Sequence, residues 1–234
     1  MREILKVLPQ ERYVYFSDNA WCPYGEKSPG FIRERCRRIT ELMLSKGAEA
    51  MVVACNTATA AAIQTLRSEY GIPFVGMEPA VKPAALGTRS GVIGVLATAG
   101  TLKGSKYLNT KGRFQDEVKI VERVGKGFVE LVESGELTGP HAEKVVGDSL
   151  RPLLEAGADT VVLGCTHYPF LLETLRKIAG PEINFIDPAP AVARRLVEVL
   201  KEKGIGPADA GPDVELIASG SDESLRRCYA LIRQ

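Results

Sequence analysis

The stretch that decides the fold occurs twice: residues 47–57 read GAEAMVVACNT, and residues 157–167 read GADTVVLGCTH. Each copy places an apolar run directly before a cysteine, and the two cysteines, Cys55 and Cys165, are 110 positions apart. A short apolar run bounded by polar residues is typical of a buried strand in a parallel sheet. A cysteine at the end of both strands predicts two copies of one structural and chemical unit.

Two further matches follow in the same order: QTLR at 64–67 with ETLR at 173–176, and IPFVGMEPAV at 72–81 with INFIDPAPAV at 183–192. The general similarity of all strand–helix–strand units explains the apolar runs, but not the two cysteines. We therefore expect an internal duplication. The two Pro-Ala-Val segments are natural crossover points, so one domain is expected from residues 1–79 plus 190–234 and a second from 80–189, with a ligand cleft between them.

Short apolar runs alternate with longer amphipathic segments along the whole chain, a pattern that predicts an α/β protein with parallel sheets. Strands are expected at 13–16, 50–54, 73–76, 92–96, 118–122, 160–164, 183–186 and 214–218. Helices are expected at 1–7, 29–46, 57–70, 80–87, 102–113, 127–134, 140–156, 168–179, 189–203 and 221–233.

The composition is that of an ordinary globular protein: 234 residues, 45% hydrophobic and 25% charged, with 30 basic and 29 acidic side chains. A formal charge of +1 argues against a surface dedicated to nucleic acid. No apolar run approaches the roughly 20 residues that a membrane helix needs, and the start MREILKVLPQ does not resemble a secretory signal. We therefore expect a cytoplasmic protein with neither a nucleic-acid nor a membrane partner.

The chain has five cysteines, at positions 22, 36, 55, 165 and 228, and none forms a CxxC pair. An odd number without a secretion signal argues against a disulfide framework. Two histidines without clustered ligands give little support to zinc, so no metal is expected. Cys36 and Cys228 are expected to be small, partly buried residues, while the role of Cys22 stays open.

The paired cysteines predict a particular chemistry. Ligands of parallel α/β sheets bind beyond the carboxyl ends of the strands, where helix N-termini present N–H groups that favour a thiolate. Thr57 and Thr166 are expected to cap the helices that follow the two strands. Two thiols suit a stereoinversion in which one thiolate removes a proton from carbon and the other thiol returns one on the opposite face. A single nucleophilic cysteine would leave the second copy unexplained. GxGxxG and Walker-type loops are absent, so no cofactor is expected.

Five segments together resemble the cofactor-independent glutamate racemases of the aspartate/glutamate racemase superfamily. They are PYGEKS at 23–28, VVACNTA at 52–58, PAVKPAA at 79–85, ATAGT at 97–101 and VVLGCTHYP at 161–169. The GCTHYP sequence favours the glutamate branch, because aspartate racemases generally carry an acidic residue after GCT. The resemblance implies a homodimeric enzyme that supplies D-glutamate for peptidoglycan.

The resemblance also implies roles for individual residues. Cys55 and Cys165 would be the two acid/base groups, and His167 would assist Cys165. Glutamate would be held by Tyr24, Gly25, Asn56, Thr57, Thr98, Thr101 and Thr166, with Glu133 near the second cysteine. Without the resemblance, Tyr24-Gly25 would be read as a turn, His167 as a capping surface residue and Glu133 as a solvated helix residue.

The sequence departs from the family pattern at its start. Family members normally begin with a strand and a D-S-G-x-G-G-L turn that contacts the substrate amine, and no such motif precedes Met1. An exposed sheet edge, low stability and weak activity are the expected consequences. Three alternatives therefore stay open: an inactive homologue that acts as a binding module, a racemase for aspartate, and a related single-cysteine decarboxylase, which the paired cysteines disfavour.

Overall fold

The computed structural model describes residues 1–206 and 213–233. The chain divides into two compact units: Met1–Met77 together with Ala189–Gln234, called here the first unit, and Glu78–Pro188, called the second unit.

Strands and helices alternate along the described chain. The strands are β1 (Arg12–Ser17), β2 (Met51–Val53), β3 (Phe74–Gly76), β4 (Val92–Ala97), β5 (Lys119–Val124), β6 (Thr160–Gly164), β7 (Asn184–Ile186) and β8 (Asp213–Ala218). The helices are α1 (Arg2–Val7), α2 (Pro29–Ser45), α3 (Asn56–Glu69), α4 (Val81–Gly87), α5 (Ala99–Leu102), α6 (Ser105–Gly112), α7 (Phe128–Ser134), α8 (Pro140–Glu155), α9 (Leu172–Ala179), α10 (Ala189–Lys203) and α11 (Asp222–Arg233). Two short 3-10 helices span Tyr24–Glu26 and Tyr168–Leu171.

The second unit is built on one parallel sheet of four strands in the order β5-β4-β6-β7. All five residues of β6 are buried. A strand with a partner on each side and cover on both faces is apolar throughout, which explains the continuous run TVVLG. Ile93, Val95 and Val162 form a core cluster with Ala84 of α4 and Tyr107 of α6.

The first unit has two parallel sheets of two strands each, β1-β8 and β2-β3. Residues 51–53 of β2 are only partly buried, whereas residues 161–163 of the matching strand β6 are 0–2% exposed. The difference follows from the pairing, because β2 has one strand neighbour in the described part of the chain and β6 has two.

Helices cover the β2-β3 sheet of the first unit and complete its core. One cluster joins Ile32 of α2, Ile63 and Leu66 of α3, and Phe74 of β3. A second cluster joins α1 and α10 to Val75 through buried aliphatic side chains: Ile4, Val192, Leu196 and Val199. Burial of such side chains contributes roughly 1.5–3 kcal/mol each, so the first cluster fixes α3 against the sheet and the second fixes α1 and α10.

The α/β architecture with parallel sheets is confirmed, and all eight expected strands are present within the described residues. The helix expected at 102–113 begins later, as α6 at Ser105, because the chain turns at Gly104, its N-cap; Leu102 instead ends the short helix α5. The helix expected at 168–179 begins as the 3-10 helix Tyr168–Leu171, in which Pro169 lies in the first turn. No helix in the described residues is long and apolar enough to cross a membrane.

Candidate active site

Several predicted site residues of the second unit lie at the carboxyl edge of its sheet. Ala97, the last residue of β4, pairs with Gly164, the last residue of β6. Thr98 and Cys165 are the next residues along the chain, so strand pairing brings them to the same edge. The Cys165 side chain is almost fully enclosed, with the residue 9% exposed.

Cys165, His167 and Glu133 form a connected row of side chains. His167 Nδ1 lies 4.0 Å from Cys165 Sγ, and His167 Nε2 lies 2.7 Å from Glu133 Oε1. Both the histidine and the glutamate side chains are 25% exposed. The tautomer with a proton on Nε2 donates to the carboxylate, and its Nδ1 is then an acceptor that faces the thiol. The arrangement can therefore move a proton to and from the sulfur.

Tyr168 holds the turn that carries Cys165 and His167, a role that the sequence did not indicate. Its ring is fully buried, packs edge-on against Phe128 at 4.8 Å, and donates its hydroxyl to the Gly125 carbonyl at 3.2 Å. Burial, followed by the nearby Cys165 and Glu130, raises the pKa of Tyr168, so the hydroxyl stays a donor. Gly125 leaves the room that this ring needs, because a Cβ there would lie 2.6 Å from the Tyr168 hydroxyl.

Thr98 and Thr101 form a small hydroxyl pair at the same edge. Thr98 caps α5 by accepting the Thr101 backbone N–H at 3.3 Å, and the two hydroxyls lie 3.0 Å apart. Thr101 is buried, with 5% exposure. The expectation that Thr166 caps a helix is wrong: Thr166 lies in the turn before the 3-10 helix, whose N-cap is His167.

In the first unit, Cys55 itself is the N-cap of α3. Its Sγ accepts the backbone N–H of Ala58 at 3.4 Å. The expectation that Thr57 caps this helix is therefore wrong, since Thr57 lies inside the first turn, where it is buried. A sulfur at a helix N-terminus faces unpaired N–H groups and the positive end of the helix dipole, and both favour its thiolate form.

Asn56, the next residue, presents a buried amide nitrogen. The residue is 7% exposed, and its Nδ2 has no hydrogen-bond partner among the described residues. An unsatisfied buried donor costs about 1–3 kcal/mol, so it is retained where it has a function. A bound ligand with an acceptor group would remove this cost.

Tyr24 and Gly25 lie in the 3-10 helix Tyr24–Glu26 of the first unit. Tyr24 packs against the same core cluster as Cys55, so the segment lies beside the start of α3. The Tyr24 hydroxyl donates to the carboxylate of Asp18. Interpretation as a simple turn is therefore incomplete, because the tyrosine is tied to a charged side chain.

None of the five cysteines forms a disulfide. Cys36 is buried as expected, and its burial, followed by the nearby Cys55 and Asp18, raises the pKa of its thiol to about 12. Cys22 and Cys228 are half-buried.

Each unit thus gathers its own share of the predicted residues. The first unit brings together Tyr24, Gly25, Cys55, Asn56 and Thr57. The second unit brings together Thr98, Thr101, Glu133, Cys165, Thr166 and His167.

The chain belongs to the Asp/Glu/Hydantoin racemase family, whose model matches residues 1–196. Among curated relatives, it is 47% identical over 236 residues to a glutamate racemase of Pseudomonas putida, covering 99% of this chain and 88% of the relative. It is 44% identical to a glutamate racemase of Methylococcus capsulatus, covering 99% of this chain and 86% of the relative. These similarities confirm the resemblance that the motifs indicated.

Solved structures give the same result. The Escherichia coli glutamate racemase, crystallised with L-glutamate and the activator UDP-MurNAc-Ala, matches with a TM-score of 0.86 at 34% identity, covering 99% of this chain and 88% of that chain. A glutamate racemase of Bacillus anthracis matches with a TM-score of 0.84 at 31% identity, covering 95% of this chain and 84% of that chain.

Proposed function

We propose that this protein is a cofactor-independent glutamate racemase that interconverts L- and D-glutamate with two cysteines, Cys55 and Cys165. One observation carries the proposal: each sulfur follows a parallel strand and has its own group that favours the thiolate form. For Cys55 this is the Ala58 N–H, which donates to the sulfur, and for Cys165 it is the His167 imidazole, which can accept the thiol proton. The similarity to curated glutamate racemases over almost the whole chain supports glutamate as the substrate.

Cys55 serves as one base. Its thiolate is stabilised by the N–H of Ala58 and by the positive end of α3. No charged side chain is needed for this, so the sulfur can alternate between thiolate and thiol without leaving an unpaired cation behind.

Cys165 serves as the second base, and a side chain rather than a helix N-terminus favours its thiolate form. Its proton passes to and from His167, whose ring Glu133 orients through Nε2. Deprotonation by an adjacent imidazole and stabilisation by a helix N-terminus are two established ways to favour a thiolate.

The reaction then balances without a cofactor or a metal. One thiolate takes the α-proton of glutamate, which leaves a carbanion, and the other thiol gives a proton to the opposite face of the carbon. The first sulfur ends as a thiol and the second as a thiolate. Conversion of the other enantiomer runs the same steps backwards and restores the starting protonation state.

Polar groups beside the sulfurs would hold the charged ends of glutamate. The buried Nδ2 of Asn56 is a donor without an acceptor among the described residues, and a substrate carboxylate would accept its hydrogen bond. The hydroxyls and backbone of the remaining predicted contacts complete the binding groups: Tyr24, Gly25, Thr57, Thr98, Thr101 and Thr166.

Circular dichroism on each enantiomer tests the activity. We expect the signal of either pure glutamate enantiomer to decay to zero, unaffected by a chelator, and aspartate to be turned over much more slowly. Equal turnover of aspartate would contradict glutamate specificity, and loss of activity with the chelator would contradict the metal-free mechanism. No racemisation of either amino acid would favour the inactive binding module.

Single cysteine variants test the two-base assignment. Cys55→Ser and Cys165→Ser should each abolish racemisation, because a hydroxyl is a far weaker base than a thiolate near neutral pH. Each should still eliminate a good leaving group from one enantiomer only, and the two variants should prefer opposite enantiomers. The matched control is Cys228→Ser, which should racemise like the parent. A shared preference of both active-site variants would disprove the assignment.

The proposed cellular role is the supply of D-glutamate for peptidoglycan, in the cytoplasm, with the two units acting as the two catalytic domains of each subunit. We also propose a homodimer. Light scattering at high concentration should report twice the 25.3 kDa chain mass, and a clean monomer would contradict the dimer.

A further inference from the structure

The segment Asp18–Gly25, which reads DNAWCPYG, connects β1 to the 3-10 helix that carries Tyr24 and Gly25. Asp18 lies at its start, six residues before Tyr24, and the side chains of the two residues meet through a hydrogen bond. The Asp18 carboxylate thus links the start of the segment to its end.

Arg35, on α2, completes this contact. Its guanidinium makes two hydrogen bonds to the Asp18 carboxylate: Nη2 donates to Oδ1 at 2.5 Å, and Nε donates to Oδ2 at 3.1 Å. The two side chains are only 16% and 10% exposed. Burial opposes ionisation of Asp18, but hydrogen bonds from Arg35, Tyr24 and Ser219 outweigh it and lower the pKa of the carboxyl. The carboxylate therefore stays charged and keeps both of its partners.

Tyr24 is the third member of this cluster. Burial, followed by the hydrogen bond to Asp18, raises the pKa of its hydroxyl, so the group remains a neutral donor at any physiological pH. Its proton is committed to Asp18, which excludes Tyr24 as an acid or base in the reaction. Tyr24 can therefore contact a substrate through its ring and its backbone, which are both held in one position.

A second set of bonds anchors the segment to the turn after β8. Asn19 Nδ2 donates to the Ser221 carbonyl at 2.7 Å, and Gly220 N–H donates to Asn19 Oδ1 at 2.9 Å. The Ala20 N–H donates to the Ser219 hydroxyl at 3.2 Å. The start of the segment is thus fixed by residues distant in sequence, and Tyr24 is tied to that start through Asp18, so the position of Tyr24-Gly25 depends on groups outside the 3-10 helix.

We infer that Asp18 and Arg35 are positioning residues of the racemase, which hold Tyr24-Gly25 where these two residues contact glutamate. The inference rests on the proposed function, since it takes Tyr24-Gly25 as a substrate contact. A bidentate guanidinium–carboxylate pair has a fixed geometry, and Asp18 passes this geometry on to the Tyr24 hydroxyl. Displacement of a contact residue by about 1 Å is enough to weaken a reaction substantially.

Trp21 supplies a readout that is independent of turnover. It is the one tryptophan in the sequence and lies within the segment, 5.5 Å from the Arg35 guanidinium carbon and 5.4 Å from the Phe31 ring. It is 42% exposed, so acrylamide can reach its ring, and the extent of quenching reports how well the segment is held. Because it lies three residues before Tyr24, its fluorescence should also follow glutamate that binds to Tyr24-Gly25.

The test compares Asp18→Asn, Arg35→Met and Tyr24→Phe with a matched control on the same helix. Arg37→Met is the control, because Arg37 makes an equally bidentate pair with Glu69, at 2.7 and 2.6 Å, and its polar partners in the described structure, Glu69 and Glu34, lie outside the segment. The three variants should raise KM for both glutamate enantiomers by about tenfold, the range expected for loss of a hydrogen bond to a charged group, with a smaller fall in kcat. The double variant Tyr24→Phe with Asp18→Asn should equal the worse single variant.

Trp21 quenching by acrylamide should rise in Asp18→Asn and Arg35→Met and stay at the parent level in Arg37→Met. Arg35→Lys should recover only part of the effect, because an ammonium cannot bind both carboxylate oxygens. Unchanged quenching would overturn the inference. Increased quenching with unchanged KM would also overturn it, because the cluster would then stabilise the fold without placing the substrate.

A parent chain that does not racemise glutamate would refute the proposed function but not end this test. Glutamate titrations followed by Trp21 fluorescence would then give the dissociation constant, which the three variants should raise and Arg37→Met should not. Absence of any glutamate binding by the parent chain would overturn the inference together with the proposed function.

Discussion

The carboxylate of Glu133 and the imidazole of His167 are 2.7 Å apart, although 34 positions separate them in the sequence. The contact joins the end of α7 to the turn after β6. It sets the tautomer of a ring whose other nitrogen faces Cys165 Sγ at 4.0 Å. Neither residue could act on the thiol in this way without the other.

Replacement of Glu133 by Gln tests this relationship. The amide keeps the size of the side chain but can also donate, so the His167 ring is no longer held in the tautomer that leaves Nδ1 as an acceptor. We expect kcat to fall by about 10–100-fold, part of the 10²–10⁴-fold that a positioned acid or base contributes. The primary isotope effect should be measured with each α-deuterated enantiomer of glutamate. For Glu133→Gln it should be larger than in the parent for the enantiomer that Cys165 deprotonates.

The chain offers a matched control for this variant. Glu136 pairs with His141 at 2.9 Å, the same two side-chain types in an exposed setting outside the candidate site. Glu136→Gln should leave kcat and the isotope effects unchanged. An equal loss in both variants would mean that Glu133 acts through general stability rather than through His167.

Gly125→Ala should disturb the support under the same turn. The added Cβ would lie 2.6 Å from the Tyr168 hydroxyl and would displace a fully buried ring. Overpacking of this kind costs about 1–3 kcal/mol, so the melting temperature and kcat should fall together. Gly112→Ala, at the end of α6, meets no atom within 4 Å and should change neither. A crystal structure of Gly125→Ala with an unmoved Tyr168 would contradict this account.

Cys36 should not react with alkylating reagents under conditions that label exposed thiols. Burial raises its pKa to about 12, so at pH 8 almost none of it is thiolate, and the rate should rise only as the pH approaches that value. Mass spectrometry after brief iodoacetamide treatment should find Cys36 unmodified. Cys36→Ala should keep full racemase activity with a modest loss of stability, and a severe loss of kcat would assign it a role in the reaction.

The sequence predicted the strand ends because the two apolar runs and their cysteines are local features. VVACNT and VVLGCTH each identify a strand and the residues that follow it, although only the second strand is fully buried, and the repeat predicted the parallel sheets. The partners of the two sulfurs were harder to predict, because similar sequences lead to different backbones. Cys55 is followed by a long helix that it caps, whereas Pro169 and the 3-10 helix after Cys165 replace such a cap with a turn.

Apart from Glu133, which the resemblance placed near Cys165, the contacts from distant segments could not be predicted from one sequence. Tyr168 is buried against Phe128 and Gly125, and Asp18, in the segment after β1, is bound by Arg35 of α2. Each depends on how helices pack on the sheet, and local patterns do not encode this packing. Asn56 was predicted as a substrate contact by resemblance alone, and its unsatisfied amide nitrogen is visible only in three dimensions.

Asp159 provides a pH-dependent test of stability away from the candidate site. Its carboxylate accepts the Thr88 hydroxyl at 2.6 Å and the backbone N–H groups of Arg89 and Ser90 at 2.7 Å each. Burial opposes ionisation, but these hydrogen bonds outweigh it and lower the pKa of Asp159 to about 2. Because the folded-state pKa is depressed, the stabilisation is complete above the unfolded pKa of roughly 3.9 and is lost as the pH falls towards 2.

Asp159→Asn should therefore unfold at a lower denaturant concentration than the parent at pH 7. The group is partly exposed and screened by solvent, so we expect a loss of about 1 kcal/mol rather than the full value of the pKa shift. The two unfolding curves should converge as the pH is lowered from 4 to 2, because the parent carboxylate is then protonated too. Asp148→Asn, which breaks an exposed contact with Lys144 at 2.9 Å, should show no such pH-dependent difference. A constant gap between parent and Asp159→Asn down to pH 2 would mean that the side chain stabilises the loop by its shape and not by its charge.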